Sequence, residues 1–148
     1  MVVVDLDLYR KCRDGKLEEV REALVGGVWG GADPNSTDGH DTLLMAAAFG
    51  NHEKIVDLLL AQPWIEVNKR GRYNDTALHN ACASGSNACL IKLLAVPGVD
   101  VNALDRKSET PIMWAVSSGN TEAVRLMAAV GQVNLDCKFP DGQSLEER

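Results

Sequence analysis

Three side chains with the chemistry of metal ligands stand close together near the middle of the sequence. His79 and Cys82 are three residues apart, so they share one face of a predicted helix, and Cys89 lies near the start of the next predicted helix. Zinc binds nitrogen and sulfur donors of this kind, but a structural site needs four ligands and usually a tighter spacing. The alternative is a structural histidine beside packed thiols. The spacing therefore leaves a zinc site one ligand short.

Residues for nucleophilic catalysis or phosphate binding form no recognisable motif. Nucleophilic catalysis requires a nucleophile, a base and an orienting group that converge in one pocket. The three histidines, His40, His52 and His79, fall in different segments, and no serine or cysteine motif accompanies them. The stretch from Gly26 to Gly31 lacks the lysine and the preceding strand of a phosphate-binding loop. We therefore predict a protein that is not an enzyme and that holds no cofactor and no metal.

The segment that contains this cluster is repeated along the chain. Residues 76–102, TALHNACASGSNACLIKLLAVPGVDVN, return thirty-four residues later as 110–136, and an earlier copy occupies 41–68. Gly85 and Gly119 keep the same separation of thirty-four residues. A fixed period of this length is typical of stacked-repeat proteins.

Each copy predicts a helix, a glycine turn, a second helix and a loop that ends in Val-Asn or its equivalent. A threonine caps the first helix, and Gly50, Gly85 and Gly119 are expected to end it in a left-handed conformation. Apolar residues at helical spacing follow, and one such pair must stack on the next to bury them. The predicted helices span 6–13, 16–25, 42–49, 51–61, 76–84, 87–95, 111–118 and 121–129, and Ser144 is expected to cap the first helix of a fifth unit that begins at Cys137.

These landmarks resemble the ankyrin-repeat family. Thr76-Ala77-Leu78-His79 and Thr110-Pro111-Ile112-Met113 resemble its helix-opening tetrapeptide, while Val67-Asn68 and Val101-Asn102 resemble its loop-closing dipeptide. The resemblance covers nearly the whole chain and implies an all-α ankyrin-repeat solenoid of helix-turn-helix units joined by short loops or hairpins. We predict one domain over residues 1–148, with units at about 5–35, 36–68, 69–102 and 103–136 and a partial unit at 137–148.

The resemblance also implies roles for single residues. The family places a histidine where His79 stands, where it bonds to loop backbone, and a small residue where Cys82 stands. The structural histidine and packed thiols are therefore preferred to a zinc site. Asn68 and Asn102 are expected to tie one loop to the next through backbone hydrogen bonds. In animal relatives such asparagines can be hydroxylated, and the residues around these two fit the usual context.

Members of the family bind partners on a concave face made of loop tips and first helices, and the resemblance implies the same use here. The positions that carry over as partner-binding residues are Phe49, Arg70, Arg72, Tyr73, Asp75, Ser84, Arg106, Lys107, Glu109, Ser117 and Phe139. Basic residues cluster in these loops, while most acids lie elsewhere. An acidic or phosphorylated segment is thus an expected partner. The alternative is that solvated cations merely keep the loop tips soluble.

The three tryptophans stand outside the repeat pattern. Trp29, in the glycine-rich insertion, either folds back over the first helix pair or contacts a partner. Trp64, in the loop after the fourth helix, either covers helix ends or forms an exposed anchor. Trp114 lies on the first helix of the fourth unit, and we predict that it packs between helices in the core.

Composition limits the remaining alternatives. A net charge of −6 argues against a general binder of nucleic acids or membrane surfaces. No apolar run approaches the roughly eighteen residues of a membrane span. Four cysteines without paired spacing indicate free thiols in a reducing compartment, either cytoplasm or nucleus. We expect a monomer that binds a protein partner; the alternative is a structural spacer within a longer ankyrin-repeat protein.

Overall fold

The computed structural model describes residues 5–25 and 31–148, which form eight α-helices and one 3₁₀ turn. The helices are α1 (Leu6–Arg13), α2 (Leu17–Val25), α3 (Leu43–Phe49), α4 (Glu53–Leu60), α5 (Ala77–Ser84), α6 (Asn87–Leu94), α7 (Pro111–Ser117) and α8 (Thr121–Ala128). The only β pairing in these ranges is two isolated bridges, Thr37 with Thr42 and Lys138 with Ser144. The all-α prediction is confirmed. The fifth unit, however, contributes only the 3₁₀ turn Leu145–Glu147.

The helices stack in two layers. The first helices of the units (α1, α3, α5 and α7) contact one another more extensively than the second helices (α2, α4, α6 and α8) do. Closer packing in one layer bends the stack towards that layer, so the first helices line its concave side. The predicted solenoid is therefore present, with the first helices and the loop tips on the inner face.

The core lies between the two layers. Small residues such as Ala47, Ala81 and Ala115 are fully buried on the first helices, where they let neighbouring helices approach closely. Leucine and methionine side chains such as Leu93 and Met127 fill the space behind them and are also fully buried. Burial of apolar area supplies the main stabilisation, about 25 cal/mol per Å².

Threonines open the first helices, as predicted. Thr42, Thr76 and Thr110 each occupy the N-cap position with extended backbone, and the backbone N–H of each donates to the side chain three residues later, at 3.5, 3.1 and 3.3 Å respectively. The Thr42 hydroxyl also accepts the Met45 backbone N–H at 3.2 Å. Each cap satisfies a backbone donor that has no partner within the helix. The caps therefore fix where each first helix begins.

The predicted glycine turns hold for two units and not for a third. Gly85 has φ of +69° at the C-cap of α5, and Gly119 has φ of +70° one residue after the cap of α7. Gly50 is in the right-handed region at φ −77°, so the prediction of a left-handed conformation there is wrong. Asn51, with φ of +56°, makes the reversal one residue later. Asparagine tolerates this conformation better than most residues do.

Replacing Gly85 with valine is expected to lower the free energy of unfolding by about 1 to 3 kcal/mol. A β-branched residue is strained at this positive φ, and a Cβ would lie 3.1 Å from Asn120 Oδ1. Asn120 cannot yield freely, because its Nδ2 donates to the Cys82 and Ala83 carbonyls at 2.6 and 2.8 Å. Urea unfolding followed by circular dichroism measures the change.

The matched control is Gly131→Val. Gly131 has no positive φ, and nothing lies within 4 Å of a Cβ built there. Its replacement should change the unfolding free energy by no more than about 0.5 kcal/mol. Equal losses for the two valine variants would show that the left-handed turn at Gly85 is not the cause.

A row of asparagines links consecutive loops, as predicted for two of its members. Each one donates from Nδ2 to a carbonyl of the next loop and accepts a backbone N–H from it, at 2.7–2.8 Å throughout. The asparagines are Asn35, Asn68 and Asn102. They hold the loops in register from one unit to the next.

Candidate binding face on the concave side

His79 joins two units through hydrogen bonds at both ring nitrogens. The side chain is fully buried. The Thr76 backbone N–H donates to Nδ1 at 3.1 Å, so the proton is on Nε2, which donates to the Glu109 carbonyl of the next unit at 3.1 Å. Both ring nitrogens are therefore occupied in the neutral tautomer. The predicted bond to loop backbone is confirmed.

The neighbouring thiols are packed side chains. Cys82 and Cys89 are fully buried and free. Burial raises the pKa of Cys82 to about 12 and that of Cys89 to about 11, which makes both thiols poor nucleophiles. Across residues 5–25 and 31–148, no three His, Cys, Asp or Glu side chains converge in a group that could hold a metal ion.

Stability is expected to fall as pH drops below about 6.5, the ordinary histidine pKa of the unfolded chain. Burial lowers the pKa of His79 in the folded state, and this outweighs the opposing effects of the Glu109 carbonyl bond, Asp105 and Asp75. The unfolded chain then binds more protons in this range, so acid favours unfolding. The urea midpoint should be flat between about pH 7 and 8 and decline between about pH 6.5 and 5.

A His79→Gln variant should lose part of that decline, whereas His40→Gln should keep all of it, because His40 is exposed. The same decline in the wild type and in His79→Gln would assign the pH dependence to other groups.

A cleft of about 380 Å³ opens on the concave side at the fourth unit. It lies between the loop that precedes α7 and the last turn of α7, and we name it the C-terminal cleft. Its lining residues are Tyr73, Asp105, Arg106, Lys107, Glu109, Trp114, Ser117 and Ser118. Five of the eleven predicted partner-binding residues thus meet in one place.

Trp114 contributes to this cleft, which corrects the prediction that it packs in the core. The side chain is half-buried; its Nε1–H donates to Asp105 Oδ2 at 3.0 Å, and its ring meets the His79 ring edge-to-face at 5.0 Å. One side of the indole therefore packs against the third unit, and the rest of it is accessible to solvent. The aligned residue in the third unit is the polar Asn80, a signal that this helix position faces the concave side.

Asp105 organises the loop around the cleft. Its Oδ1 accepts the backbone N–H groups of Lys107 and Glu109, both at 2.8 Å, and its Oδ2 accepts the indole N–H. The carboxylate is buried and satisfied by three donors. This fixes the turn that carries the exposed Arg106 and Lys107 side chains.

Two of the predicted basic residues connect loop tips. Arg70 Nη1 donates to the carbonyls of Asn74 and Leu104 at 2.9 and 3.0 Å. Arg106 Nη2 donates to the Arg72 carbonyl at 2.5 Å. These cations therefore have a structural role in addition to any role at the surface.

Arg72 and Lys107 are less constrained. Both are exposed, and in the described ranges neither makes an ion pair within 4 Å. The Arg72 guanidinium carbon lies 5.7 Å from the centre of the Tyr73 ring, a cation–π arrangement. These two side chains are the ones whose charge can be removed without breaking a side-chain bond to a neighbouring loop.

Two predicted partner-binding residues offer almost no surface. Asp75 is only 3% exposed, because its carboxylate accepts the Tyr73 N–H and the Asn80 side-chain amide at 3.3 and 2.8 Å. Phe139 is 2% exposed, and the Arg148 guanidinium covers its ring at 4.0 Å. The prediction that these two contact a partner is corrected: each one supports the loop in which it lies.

A second cleft, of about 290 Å³, lies towards the first unit, and we name it the N-terminal cleft. Its lining residues are Tyr9, Arg13, Asp41, Met45, Ala46, Phe49 and Asn80. Phe49, a predicted partner-binding residue, is 58% exposed at its edge. Ser84, another, is half-buried on α5, and its hydroxyl donates to the Asn80 carbonyl at 2.9 Å.

Of the other two tryptophans, the structure describes Trp64 but not Trp29. Trp64 is 80% exposed, so it does not cover the helix ends, and its carbonyl accepts the Asn35 amide. Trp29 and the insertion around it lie outside the described residues, apart from Gly31, so both hypotheses for Trp29 stand as predictions.

The fold and this face define a helical-repeat solenoid with a concave surface. The family model for ankyrin repeats matches residues 8–105 and 78–145, with three copies, so the chain belongs to the ankyrin-repeat family. Members are generally protein–protein interaction modules and are typically non-catalytic. A comparison with curated proteins finds no match. Within the described ranges, no helix combines the length and apolar character needed to cross a membrane.

Proposed function

We propose that this chain is a non-catalytic protein-binding module that holds its partner on the concave face, with the C-terminal cleft as the principal contact. The observation that carries the proposal is the convergence of Tyr73, Arg106, Lys107 and the half-open Trp114 around one cleft. Tryptophan, tyrosine and arginine are enriched among the residues that dominate binding energy at interfaces.

The charges around this cleft favour an acidic segment as partner. The exposed charges that line it are the cations Arg106 and Lys107, with the exposed Arg72 nearby on the adjacent loop. Complementary charge speeds association and selects partners. The cleft wall also contains Glu109 and the buried Asp105, which repel a doubly charged phosphate more than a carboxylate. We therefore favour aspartate or glutamate side chains over a phosphorylated residue.

The buried thiols favour a reducing cellular compartment for this protein. Cys12, Cys82 and Cys89 are fully buried free cysteines, which is usual for proteins in reducing compartments. We propose that the module acts in the cytoplasm or nucleus and that it is a monomer. Isolation from each compartment, with mass measurement of the free chain, tests both points.

The double variant Arg72→Ser with Lys107→Ser is expected to weaken partner binding about tenfold at low salt, since exposed ion pairs contribute up to about 1 kcal/mol each. The partner is captured from extract with the wild-type chain, purified, and titrated against both proteins. The difference between wild type and variant should shrink as ionic strength rises from about 0.05 to 0.5 M.

The control is Lys16→Ser with Lys54→Ser, which removes the same charge from exposed positions outside both concave clefts. Equal weakening by the two double variants would contradict the concave site and assign the effect to net charge. If the wild-type chain retains no protein at all, the proposed function itself is wrong.

A further inference from the structure

We propose that the partner segment is extended and inserts two large apolar side chains, five or six residues apart, one into each concave cleft. This inference rests on the proposed function and adds the shape and chemistry of the partner. Both clefts open on the same face, because their helical residues all belong to the first helices α1, α3, α5 and α7.

The size of the clefts favours single side chains. Their volumes, about 380 and 290 Å³, are at or below the low end of the about 300–1,000 Å³ typical of small-molecule sites. Each has aromatic walls, Tyr73 and Trp114 in one and Tyr9 and Phe49 in the other. A site of this kind suits an aromatic or long aliphatic side chain, because aromatic pairs gain stabilisation beyond the burial of area.

The spacing of the helices sets the spacing of the anchors. Three of the six helical residues that line the N-terminal cleft lie on α3, more than on any other helix, and those of the C-terminal cleft lie on α7. Helix α5 packs between α3 and α7. Packed helices lie about 8–10 Å apart, so the clefts are about 16–20 Å apart. An extended chain rises about 3.3 Å per residue, and five or six residues therefore span the distance.

The surface between the clefts suits an extended chain. There α5 presents the polar Asn80 and the small Ala83 and Ser84, all of them partly accessible. Phe49 and Tyr73 are more than half exposed beside this path. An extended strand is thinner than a helix, which is about 10–12 Å in diameter, and so fits more easily beside these two exposed rings.

Opposite charges at the two clefts give the segment a direction. Asp41 lines the N-terminal cleft and Asp38 lies close by, since after burial these two carboxylates are the main causes of the raised pKa of Tyr9. Arg13 also lines that cleft, but its guanidinium is paired with Asp14 at 2.8 Å. Arg72 interacts electrostatically with Tyr9 and with both carboxylates, so two carboxylates face one cation there and the balance stays negative. Exposed cations border the C-terminal cleft. A basic residue should therefore neighbour one anchor and an acidic residue the other.

Selection from a library of random 12-residue peptides on the immobilised full chain tests this directly. Enriched peptides should carry two large apolar residues five or six positions apart, with Lys or Arg beside one and Asp or Glu beside the other. Enrichment of single-anchor peptides, of helical spacings of three, four or seven, or of no peptide would overturn the inference. If none is enriched while a folded partner still loses affinity for Arg72→Ser with Lys107→Ser, the proposed function survives alone.

Assignment of each anchor to a cleft uses Phe49→Ser and Tyr73→Ser. Both side chains are more than half exposed, so the melting temperature should stay within a few degrees of the wild type. Each change should weaken a selected two-anchor peptide about tenfold, while Ile91→Ser, an equally exposed apolar position on α6, should not. A peptide that lacks one anchor should become insensitive to one of the two variants and remain sensitive to the other. Equal sensitivity of the one-anchor peptide to Phe49→Ser and Tyr73→Ser would overturn the two-cleft arrangement.

Discussion

His79→Ala is expected to lower the free energy of unfolding by about 3 to 5 kcal/mol. The ring is fully buried, so its removal opens a cavity. It also leaves the Thr76 N–H and the Glu109 carbonyl without their partner. Each buried group left unpaired costs about 1–3 kcal/mol. Urea unfolding at pH 7.5 measures the loss.

In the second and fourth units, the residues equivalent to His79 make fewer hydrogen bonds than His79 does. Met45 and Met113 also accept the N–H of their cap threonines, at 3.5 and 3.3 Å, but a thioether sulfur is a weak acceptor and cannot donate to the next loop. The bond from His79 to the fourth unit therefore has no equivalent at those two positions. His40→Ala, at an exposed histidine, should cost no more than about 0.5 kcal/mol. Similar losses for the two histidine variants would contradict this account.

The consequence of His79→Ala should extend to the binding face. The ring supports Trp114 from the unit below, at 5.0 Å between ring centres. Without it, the indole loses an aromatic contact on its buried side and the floor of the C-terminal cleft becomes less ordered. We expect partner affinity to fall even at temperatures where the variant is fully folded.

The repeated helices were predictable because their signals are local. Thr76, Gly85 and Asn102 each act through backbone groups within a few residues or one repeat away, and the thirty-four-residue period places those groups equivalently in the third and fourth units. A local signal can still be misread by one residue. The turn after α3 needs one left-handed residue, and Asn51 supplies it in place of Gly50.

The details of the binding face depend on contacts between units, which the periodic pattern does not encode. Asp75 is an acid in a loop, and only the positions of Asn80 and the Tyr73 N–H show that it is buried. From the sequence, Arg70 is expected to be a solvated cation, but its guanidinium donates to the Leu104 carbonyl of the next loop. Trp114 is apolar enough for the core, but its indole N–H donates to Asp105, and this bond keeps the side chain at the cleft.

Leu93→Ala is expected to lower the free energy of unfolding by about 2 to 5 kcal/mol. Leu93 is fully buried on α6, the second helix of the third unit, which packs against both α4 and α8. Loss of its side chain leaves a cavity in the layer that supports both halves of the stack. The matched control is Ile91→Ala on the same helix, where the side chain is 53% exposed and the cost should be no more than about 0.5 kcal/mol.

The form of the Leu93→Ala transition carries a second expectation. In a solenoid each unit is stabilised mainly by its neighbours, so a defect in the third unit weakens the coupling between the second and the fourth. Hydrogen exchange in α7 and α8 should accelerate more than exchange in α3, because within the described chain the fourth unit borders only the third unit and the short segment that ends in the 3₁₀ turn. The N-terminal cleft contains residues of α3 and the C-terminal cleft residues of α7. The Leu93→Ala variant should therefore lose more affinity for a two-anchor peptide than for a one-anchor peptide. Uniform acceleration in all helices, with the ratio of the two affinities unchanged, would instead show that the units unfold as one cooperative body.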